Sequence, residues 1–155
     1  MGASATKGRP LGLLLAVAAA TFGADQTAKV AVRSTLDPET PFNLIGAHVR
    51  LALVHNTGSA FGLITSGWVL MLVGGVVCVA IVVYVTAARG LERSPGHALP
   101  LGLVLGGSCG NLVDRIRTGG VTDFIDLRVW PVFNLADVAI TVGIALLALG
   151  LMRGR

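Results

Sequence analysis

The sequence predicts an all-α membrane protein: a bundle of four transmembrane helices with a small extracytoplasmic β-rich cap and both termini in the cytoplasm. Of its 155 residues, 54% are hydrophobic and 13% are charged, whereas soluble domains are about 45–50% apolar. The mean hydropathy is +0.79. Long uncharged stretches recur along the chain, and a membrane-spanning helix needs about 20 mostly apolar residues. We therefore expect one integral membrane domain covering residues 1–155.

Four apolar stretches define the predicted spans. They cover approximately residues 11–32, 68–88, 98–117 and 133–152. The second is the clearest, because "WVLMLVGGVVCVAIVVYVTAA" contains no charge and ends directly before Arg89. The short connections favour an antiparallel bundle, and glycines scattered through the spans allow membrane helices to pack closely.

Residues 33–67 are the exception to the short connections and form the predicted extracytoplasmic segment. Its "LDPETP" contains turn residues, and the following "HVRLALVHN" partly alternates polar and apolar residues. Alternation with a period of two favours short strands over helix. We expect a small sheet or cap on one face of the membrane.

Lysine and arginine residues set the orientation, because the cytoplasmic loops of membrane proteins are enriched in both. Several lie in the two terminal segments and in the connection after the second span: Lys7, Arg9, Arg89, Arg93, Arg153 and Arg155. Both termini are therefore predicted to be cytoplasmic. Ala18 and Ala20 would also suit a signal-peptide cleavage site, but the apolar stretch continues past them, so we expect the first span to be retained.

Polar residues converge at the outer ends of the predicted spans. The residues concerned are Asp25, Lys29, Asn56, Asn111, Asp114, Arg115, Asn134 and Asp137. Ionisable residues inside membrane spans are costly and usually mark function, although the cost is smaller near an interface. Convergence from all the spans onto one layer describes a site.

Each group of polar residues also has a purely structural interpretation. Asp25 and Lys29 are four residues apart with the acid first, which is the favourable order for a helical ion pair, and a structural pair is the favoured interpretation. Asn111, Asp114 and Arg115 lie on one face of a helix. That face could bind substrate, or it could only hold the third span against its neighbours.

The acids after the third span also have more than one interpretation. Asn134 followed by Asp137 fits a helix start with an asparagine cap and an acid at the third helical position, and this pattern alone favours capping for Asp137. Asp123 and Asp126 could lie in a solvated loop, and the loop is the favoured interpretation for Asp126 together with Arg128. Spacing alone therefore predicts a candidate carboxylate pair and no more.

Such a pair supports a specific reaction. Two carboxylates close together do not both ionise easily, so one keeps a proton. The ionised partner can activate water while the protonated partner donates to the carbonyl under attack. No cofactor or metal is expected, because His48, His55 and His97 have no metal-ligand spacing. Cys78 and Cys109 are interpreted as buried small hydrophobes, and nucleic acid is not an expected partner because the basic residues flank apolar spans.

Several sequence blocks carry a family resemblance. They are "DQTAK" (25–29), "VHNTGSAFG" (54–62), "GGSCGNLVDR" (106–115), "GGVTDFID" (119–126) and "FNLADVAI" (133–140). In this order the blocks resemble the signature of prolipoprotein signal peptidase, also called signal peptidase II. The resemblance covers approximately residues 25–143, and the blocks together are highly specific.

The resemblance implies a bacterial inner-membrane aspartyl endopeptidase with its active site near the outer leaflet. Such an enzyme removes the signal peptide of a prolipoprotein just before its diacylglyceryl-modified cysteine. It implies Asp123 and Asp137 as the catalytic pair. The implied substrate-binding residues are Asn56, Asn111, Arg115 and Asn134, and the implied supporting residues are Asp25, Lys29, Gly58 and Asp114. The expected partners are lipid-modified signal peptides and membrane lipids, and the protein is expected to act as a monomer.

Two other classes of function compete with this interpretation. A small proton-coupled transporter or channel would also place Asp, Asn and Arg in its spans, but it should place them near mid-membrane in broken helices. The centres of these spans are apolar. A non-catalytic membrane-assembly subunit is the second alternative, and it would tolerate Asn in place of Asp123.

Overall fold

The computed structural model describes residues 9–46, 48–58, 67–87 and 89–153. In chain order the elements are α1 (Arg9–Thr35), β1 (Phe42–Ile45), β2 (Val49–Asn56), α2 (Gly67–Thr86), α3 (Gly90–Arg93), a 3₁₀ turn (Pro95–His97), α4 (Ala98–Thr118), β3 (Val121–Asp126) and α5 (Leu135–Met152). The four long helices, α1, α2, α4 and α5, cover most of the residues of the four predicted apolar stretches. Lys7, Arg155, residue 88 of the second span and residues 59–62 of the second sequence block lie outside the described residues.

Three of the described helices are long and apolar enough to cross a membrane, namely α1, α2 and α5. The remaining long helix, α4, packs against all of them and has the largest set of buried residues, including Ser108, Asn111 and Asp114. Because α4 is enclosed by apolar helices, its polar side chains are kept away from the apolar exterior.

Glycines allow α4 to approach its neighbours at backbone distance. A Cβ atom on Gly106 would lie 2.5 Å from the Ala18 carbonyl oxygen of α1, and one on Gly107 would lie 2.6 Å from the Ala136 carbonyl oxygen of α5. Both separations are shorter than any normal van der Waals contact. Gly106 therefore allows close packing against α1 and Gly107 allows close packing against α5, as small residues do in membrane helix pairs.

A three-stranded antiparallel sheet in the order β1-β2-β3 lies beside the helices. The predicted strands in segment 33–67 are present as β1 and β2, but β3 follows α4 and was not predicted. Its burial is nearly continuous, so it lacks the alternation that marks a half-buried strand. In the register, Val54 is opposite Asp123 and Asn56 is opposite Val121. This pairing places β2 next to Asp123.

The expectation that Asp126 lies in a solvated loop is wrong. Asp126 is the last residue of β3, it is 5% exposed, and it is the register partner of Arg50 on β2. The two side chains form an ion pair, and the backbone N–H of Arg128 donates to Asp126 Oδ1 at 2.7 Å. Strand pairing therefore buries an acid that local sequence alone would leave in water.

Candidate active site

Asp123 lies in the middle of β3 and is 3% exposed. Both of its carboxylate oxygens accept hydrogen bonds from asparagine amides. Asn56 Nδ2 donates to Oδ2 at 2.8 Å, and Asn134 Nδ2 donates to Oδ1 at 2.6 Å. The carboxyl group is thus held from β2 on one side and from the start of α5 on the other.

Asp137 lies in the first turn of α5, where the predicted cap is confirmed. The Asn134 side chain accepts from the Asp137 N–H at 3.0 Å, and the Asn134 N–H donates to Asp137 Oδ2 at 3.3 Å, which completes a capping box. The other oxygen, Oδ1, accepts from Asn111 Nδ2 at 2.8 Å. One asparagine, Asn134, therefore contacts both Asp123 and Asp137.

A charged cluster lies directly behind this pair. The Lys29 ammonium is 2.9 Å from Asp25 Oδ2 and 3.0 Å from Asp114 Oδ2, and it donates to Asn111 Oδ1 at 2.9 Å. An ammonium has three donors, so these partners use all of them. Lys29 and Asp25 are both fully buried. The predicted ion pair is confirmed, and Asp114 joins it from α4.

The acids of this cluster also hold the two elements that carry the candidate pair. Asp25 Oδ1 accepts from the backbone N–H of Ala136 in α5 at 3.0 Å. Asp114 Oδ2 accepts from the backbone N–H of Thr122 in β3 at 3.3 Å. Gln26, which sequence reasoning missed, donates to Asp114 Oδ1 at 3.1 Å. The signal that could have identified Gln26 is its polar side chain next to Asp25 in an otherwise apolar span.

A cavity of about 330 Å³ lies in front of the pair. Its polar lining residues are Asn56, Asn111, Arg115, Asp123, Asp137 and Thr141, and the rest of the lining includes Gly58, Leu70, Val121, Trp130 and Phe133. The Gly58 N–H donates to Asn56 Oδ1 at 3.0 Å, which orients that amide toward Asp123. Arg115 Nε is buried and has no hydrogen-bond partner among the described residues, so this donor can serve a bound molecule.

The structure thus brings together all the sequence-predicted site residues. Asn134 is fully buried and joins the two acids from behind, while Asp25, Lys29 and Asp114 form the supporting cluster. Within the described ranges, the His, Cys, Asp and Glu residues form no group of three or more that could hold a metal ion.

Burial raises the pKa of Asp123 from 3.8 to about 6, and the negative charge of Asp137 acts in the same direction. The amides of Asn56 and Asn134 oppose this rise, because they stabilise the ionised form. A carboxyl group with such a pKa exchanges its proton near neutral pH, as general acid–base catalysis requires. At Asp126 burial also acts to raise the pKa, but the hydrogen bonds from Arg50 and from the Arg128 N–H outweigh it and lower the pKa.

The fold and the site define a helical membrane protein with two acids at one cavity. Residues 17–153 match the family model of signal peptidase (SPase) II. The lipoprotein signal peptidase of Moorella thermoacetica is 42% identical over 133 residues, covering 86% of this chain and 88% of that protein. The corresponding protein of Rhodococcus jostii is 42% identical over 142 residues, covering 87% and 70%.

A solved structure agrees with these relatives. A bacterial membrane enzyme determined by the in meso method at 2.3 Å resolution superposes with a TM-score of 0.83 and 26% identity, covering 92% of this chain and 88% of that one. The chain belongs to the signal peptidase II family, and it is a membrane protease of lipoprotein processing.

Proposed function

We propose that this protease is an aspartyl endopeptidase that removes signal peptides from diacylglyceryl-modified prolipoproteins, cutting just before the lipidated cysteine. The observation that carries the proposal is the pair Asp123 and Asp137 at one cavity. The Asn134 side chain donates to the Asp123 carboxylate, and the Asn134 backbone N–H donates to the Asp137 carboxylate. Asn56 and Asn111 complete the amide contacts of the pair. The substrate class comes from the curated relatives.

In the proposed mechanism the pair shares one proton. The ionised carboxylate takes a proton from water, whose oxygen attacks the scissile carbonyl carbon, while the protonated carboxyl donates to the carbonyl oxygen. The resulting tetrahedral diol collapses as its C–N bond breaks: the leaving amine takes the proton of the protonated carboxyl, and one diol hydroxyl gives its proton to the ionised carboxylate, so the pair again holds one proton. The unpartnered Nε of Arg115 can donate to a backbone carbonyl of the substrate and hold it in the cavity.

The proposed location is the bacterial inner membrane, with α1, α2, α4 and α5 as spans, both termini in the cytoplasm and the site near the outer leaflet. Asn111 and Arg115 lie late in α4, Asp137 lies in the first turn of α5, and Lys29 lies in the second half of α1. These antiparallel positions share one end of the bundle. A site at that depth matches a scissile bond next to an acylated cysteine, whose lipid chains stay in the outer leaflet.

The test is cleavage of a synthetic diacylglyceryl prolipoprotein peptide by purified protein, comparing wild type with Asp123→Asn and Asp137→Asn. Each variant removes one ionisable group and should lower the cleavage rate by about 100- to 10,000-fold, with peptide binding retained. Asp126→Asn is the matched control, because Asp126 is a buried acid on the same strand but does not line the cavity. It should retain most of the activity.

Thermal denaturation of each variant separates loss of chemistry from loss of fold. Near-wild-type cleavage by a well-folded Asp123→Asn or Asp137→Asn protein would refute the proposed catalytic pair. No cleavage by wild type under conditions where it binds the peptide would refute the proposed substrate.

A further inference from the structure

A second cavity lies at the opposite end of the bundle. It has a volume of about 380 Å³, and its lining includes Arg93, Ser94, His97, Pro100, Leu146 and Gly150. Pro100 is in the first turn of α4, whereas Arg115 of the candidate active site is near its end. At 1.5 Å of rise per residue, about 22 Å of helix separates the two positions. The two cavities therefore face opposite boundaries of the apolar layer.

This cavity has a buried nitrogen that lacks a partner. The Tyr84 hydroxyl lies 2.7 Å from His97 Nδ1 and 3.4 Å from the Gly90 carbonyl oxygen. We assign its single hydrogen to the shorter contact, so that Nδ1 accepts and Nε2 carries the ring N–H. His97 Nε2 is buried without a hydrogen-bond partner among the described residues. Buried polar atoms are nearly always satisfied, by protein or by a bound molecule.

A comparison of His97 Nε2 with Arg115 Nε in the candidate active site indicates what this nitrogen binds. In the described part of the chain, only His97 Nε2 and Arg115 Nε are buried side-chain nitrogen or oxygen atoms without a partner. Both residues line a cavity. At Arg115 the substrate of the proposed reaction would supply the missing acceptor. The same reasoning at His97 points to a ligand with an acceptor atom.

Charge and shape restrict the kind of ligand. Arg93 lines the cavity, and between Thr86 and Ala98 the sequence contains Arg89 and Arg93 against a single acid, Glu92. The positive end of the α4 dipole also lies at this end. A ligand with negative charge is therefore favoured on this side of the cavity.

The cavity also has an apolar part. Its apolar lining residues include Pro100, Leu146 and Gly150. An anionic head beside an apolar wall describes an amphiphile. Basic pockets between transmembrane helices bind the headgroups of anionic lipids.

We propose that this second cavity binds an anionic phospholipid. Arg93 and His97 Nε2 hold its phosphate oxygens, and its glycerol and first acyl carbons pack on Pro100 and Leu146. The lipid is a structural ligand of the membrane face opposite the candidate active site, so this inference does not depend on the proposed peptidase mechanism.

Native mass spectrometry of the purified full-length protein tests the proposal, using phosphatidylglycerol and phosphatidylcholine with identical acyl chains. We expect wild type to retain phosphatidylglycerol in preference to phosphatidylcholine. Arg93→Ala should weaken phosphatidylglycerol binding about tenfold, because it removes a charge-assisted hydrogen bond. Arg89→Ala removes the same charge at the same membrane face but outside the cavity lining, and it should change binding by less than about twofold.

A second pair of variants isolates the unpartnered nitrogen. His97→Asn keeps an amide near the position of Nδ1, beside the Tyr84 hydroxyl, and removes the group at Nε2, whereas His97→Gln extends an amide toward the position of Nε2. We expect His97→Asn to weaken phosphatidylglycerol binding about tenfold and His97→Gln to weaken it less. The melting temperature of each variant without lipid verifies the fold, and the arginine pair remains decisive if a His97 variant does not fold.

Three results would overturn the proposal. The first is equal retention of phosphatidylglycerol and phosphatidylcholine. The second is equal weakening by Arg89→Ala and Arg93→Ala, which would indicate only general surface charge. The third is displacement of the lipid by inorganic phosphate at the same concentration, which would identify a site for free phosphate. Unchanged phosphatidylglycerol binding by Asp137→Asn would support a location separate from the active site, and loss of binding in that variant would contradict it.

Discussion

Two pairs of acids lie side by side in this protein and differ in what contacts them. Asp25 and Asp114 both contact the Lys29 ammonium, at 2.9 and 3.0 Å. Asp123 and Asp137 accept instead from asparagine amides and from backbone. A cation stabilises the ionised form of the acids it touches by its full charge, whereas an amide orients a carboxyl group without supplying a charge. The first pair is suited to holding the fold and the second to moving protons.

Asn111 is the junction between the two pairs. Its Oδ1 atom accepts from Lys29 Nζ at 2.9 Å, and its Nδ2 atom donates to Asp137 Oδ1 at 2.8 Å. The amide therefore fixes the position of Asp137 relative to the charged cluster, while none of the described Lys and Arg side chains forms an ion pair with that carboxylate. Because their contacts are separate, the charged cluster can hold the fold while the pair Asp123 and Asp137 serves the proposed reaction.

Removing the shared cation should have the largest effect on stability. Lys29→Met leaves Asp25 and Asp114 buried without their common partner, and breaking such a buried pair typically costs about 3–5 kcal/mol. We expect the free energy of unfolding in detergent to fall by that amount. In Asp25→Asn/Lys29→Met one of the stranded charges is also removed, so part of the loss should be recovered. Wild-type stability of Lys29→Met would show that the cluster does not hold the fold.

The pH dependence of stability should follow the amide-held pair. The pKa of Asp123 is raised from 3.8 to about 6, so the folded state holds this proton more tightly than the unfolded chain does. Its contribution is complete below pH 3.8 and is lost as the pH rises toward 6, a change of about 3 kcal/mol at most. Asp123→Asn should lack this loss in denaturation measured across that range.

Asp126→Asn is the control for the pH experiment. The pKa of Asp126 is lowered below 3.8, so its contribution to stability is present above that value and is lost only as the pH falls through its folded pKa. Its titration lies outside the window of Asp123. A slope between pH 4 and 6 that persists in Asp123→Asn and disappears in Asp126→Asn would contradict the assignment.

Asn134→Ala should affect stability and activity together. It removes the cap of α5, which is worth about 1 kcal/mol, and a buried donor to Asp123, worth about another 1 kcal/mol. We expect about 2 kcal/mol less stability in chemical denaturation, together with slower peptide cleavage. Asn56→Ala also removes one donor to Asp123 but no cap. An equal stability loss in the two variants would argue against the importance of the cap.

The smallest effect on stability is expected at the ion pair of Arg50 with Asp126, which lies outside the charged cluster. Arg50 is partly exposed, and its guanidinium pairs with Asp126 on the edge strand β3. Ion pairs that solvent can reach contribute about 0–1 kcal/mol, so Arg50→Ala should lower the free energy of unfolding by no more than that, and less in high salt. A loss as large as that of Lys29→Met would remove the distinction between the fully buried pair of Lys29 with Asp25 and the partly exposed pair of Arg50 with Asp126.

The parts of the site that depend on neighbouring residues were predictable from the sequence. The pairing of Asp25 with Lys29 and the cap formed by Asn134 with Asp137 follow from spacings of four and three residues. Helical periodicity and capping chemistry fix such contacts within one turn. The apolar length of the spans likewise predicted the long helices.

Contacts between distant segments were not predictable in the same way. Nothing in the local pattern of residues 121–126 indicates that they pair with β2, because a strand buried on both faces has no alternation. The burial of Asp126 by Arg50 is a consequence of that pairing. The contact of Gln26 with Asp114 joins α1 to α4, and it depends on a helix separation that the sequence does not encode locally.

The enclosure of α4 has a consequence for the biogenesis of the protein. Among the described helices, α4 is not one of those apolar enough to cross a membrane by composition, and it carries Asn111, Asp114 and Arg115. The Lys29 ammonium that neutralises Asp114 comes from α1, which is synthesised earlier. On the proposed four-span topology, α1 is already in the membrane when α4 is inserted. Lys29 would then be available to pair with Asp114, and α1 would act as an insertion partner for α4.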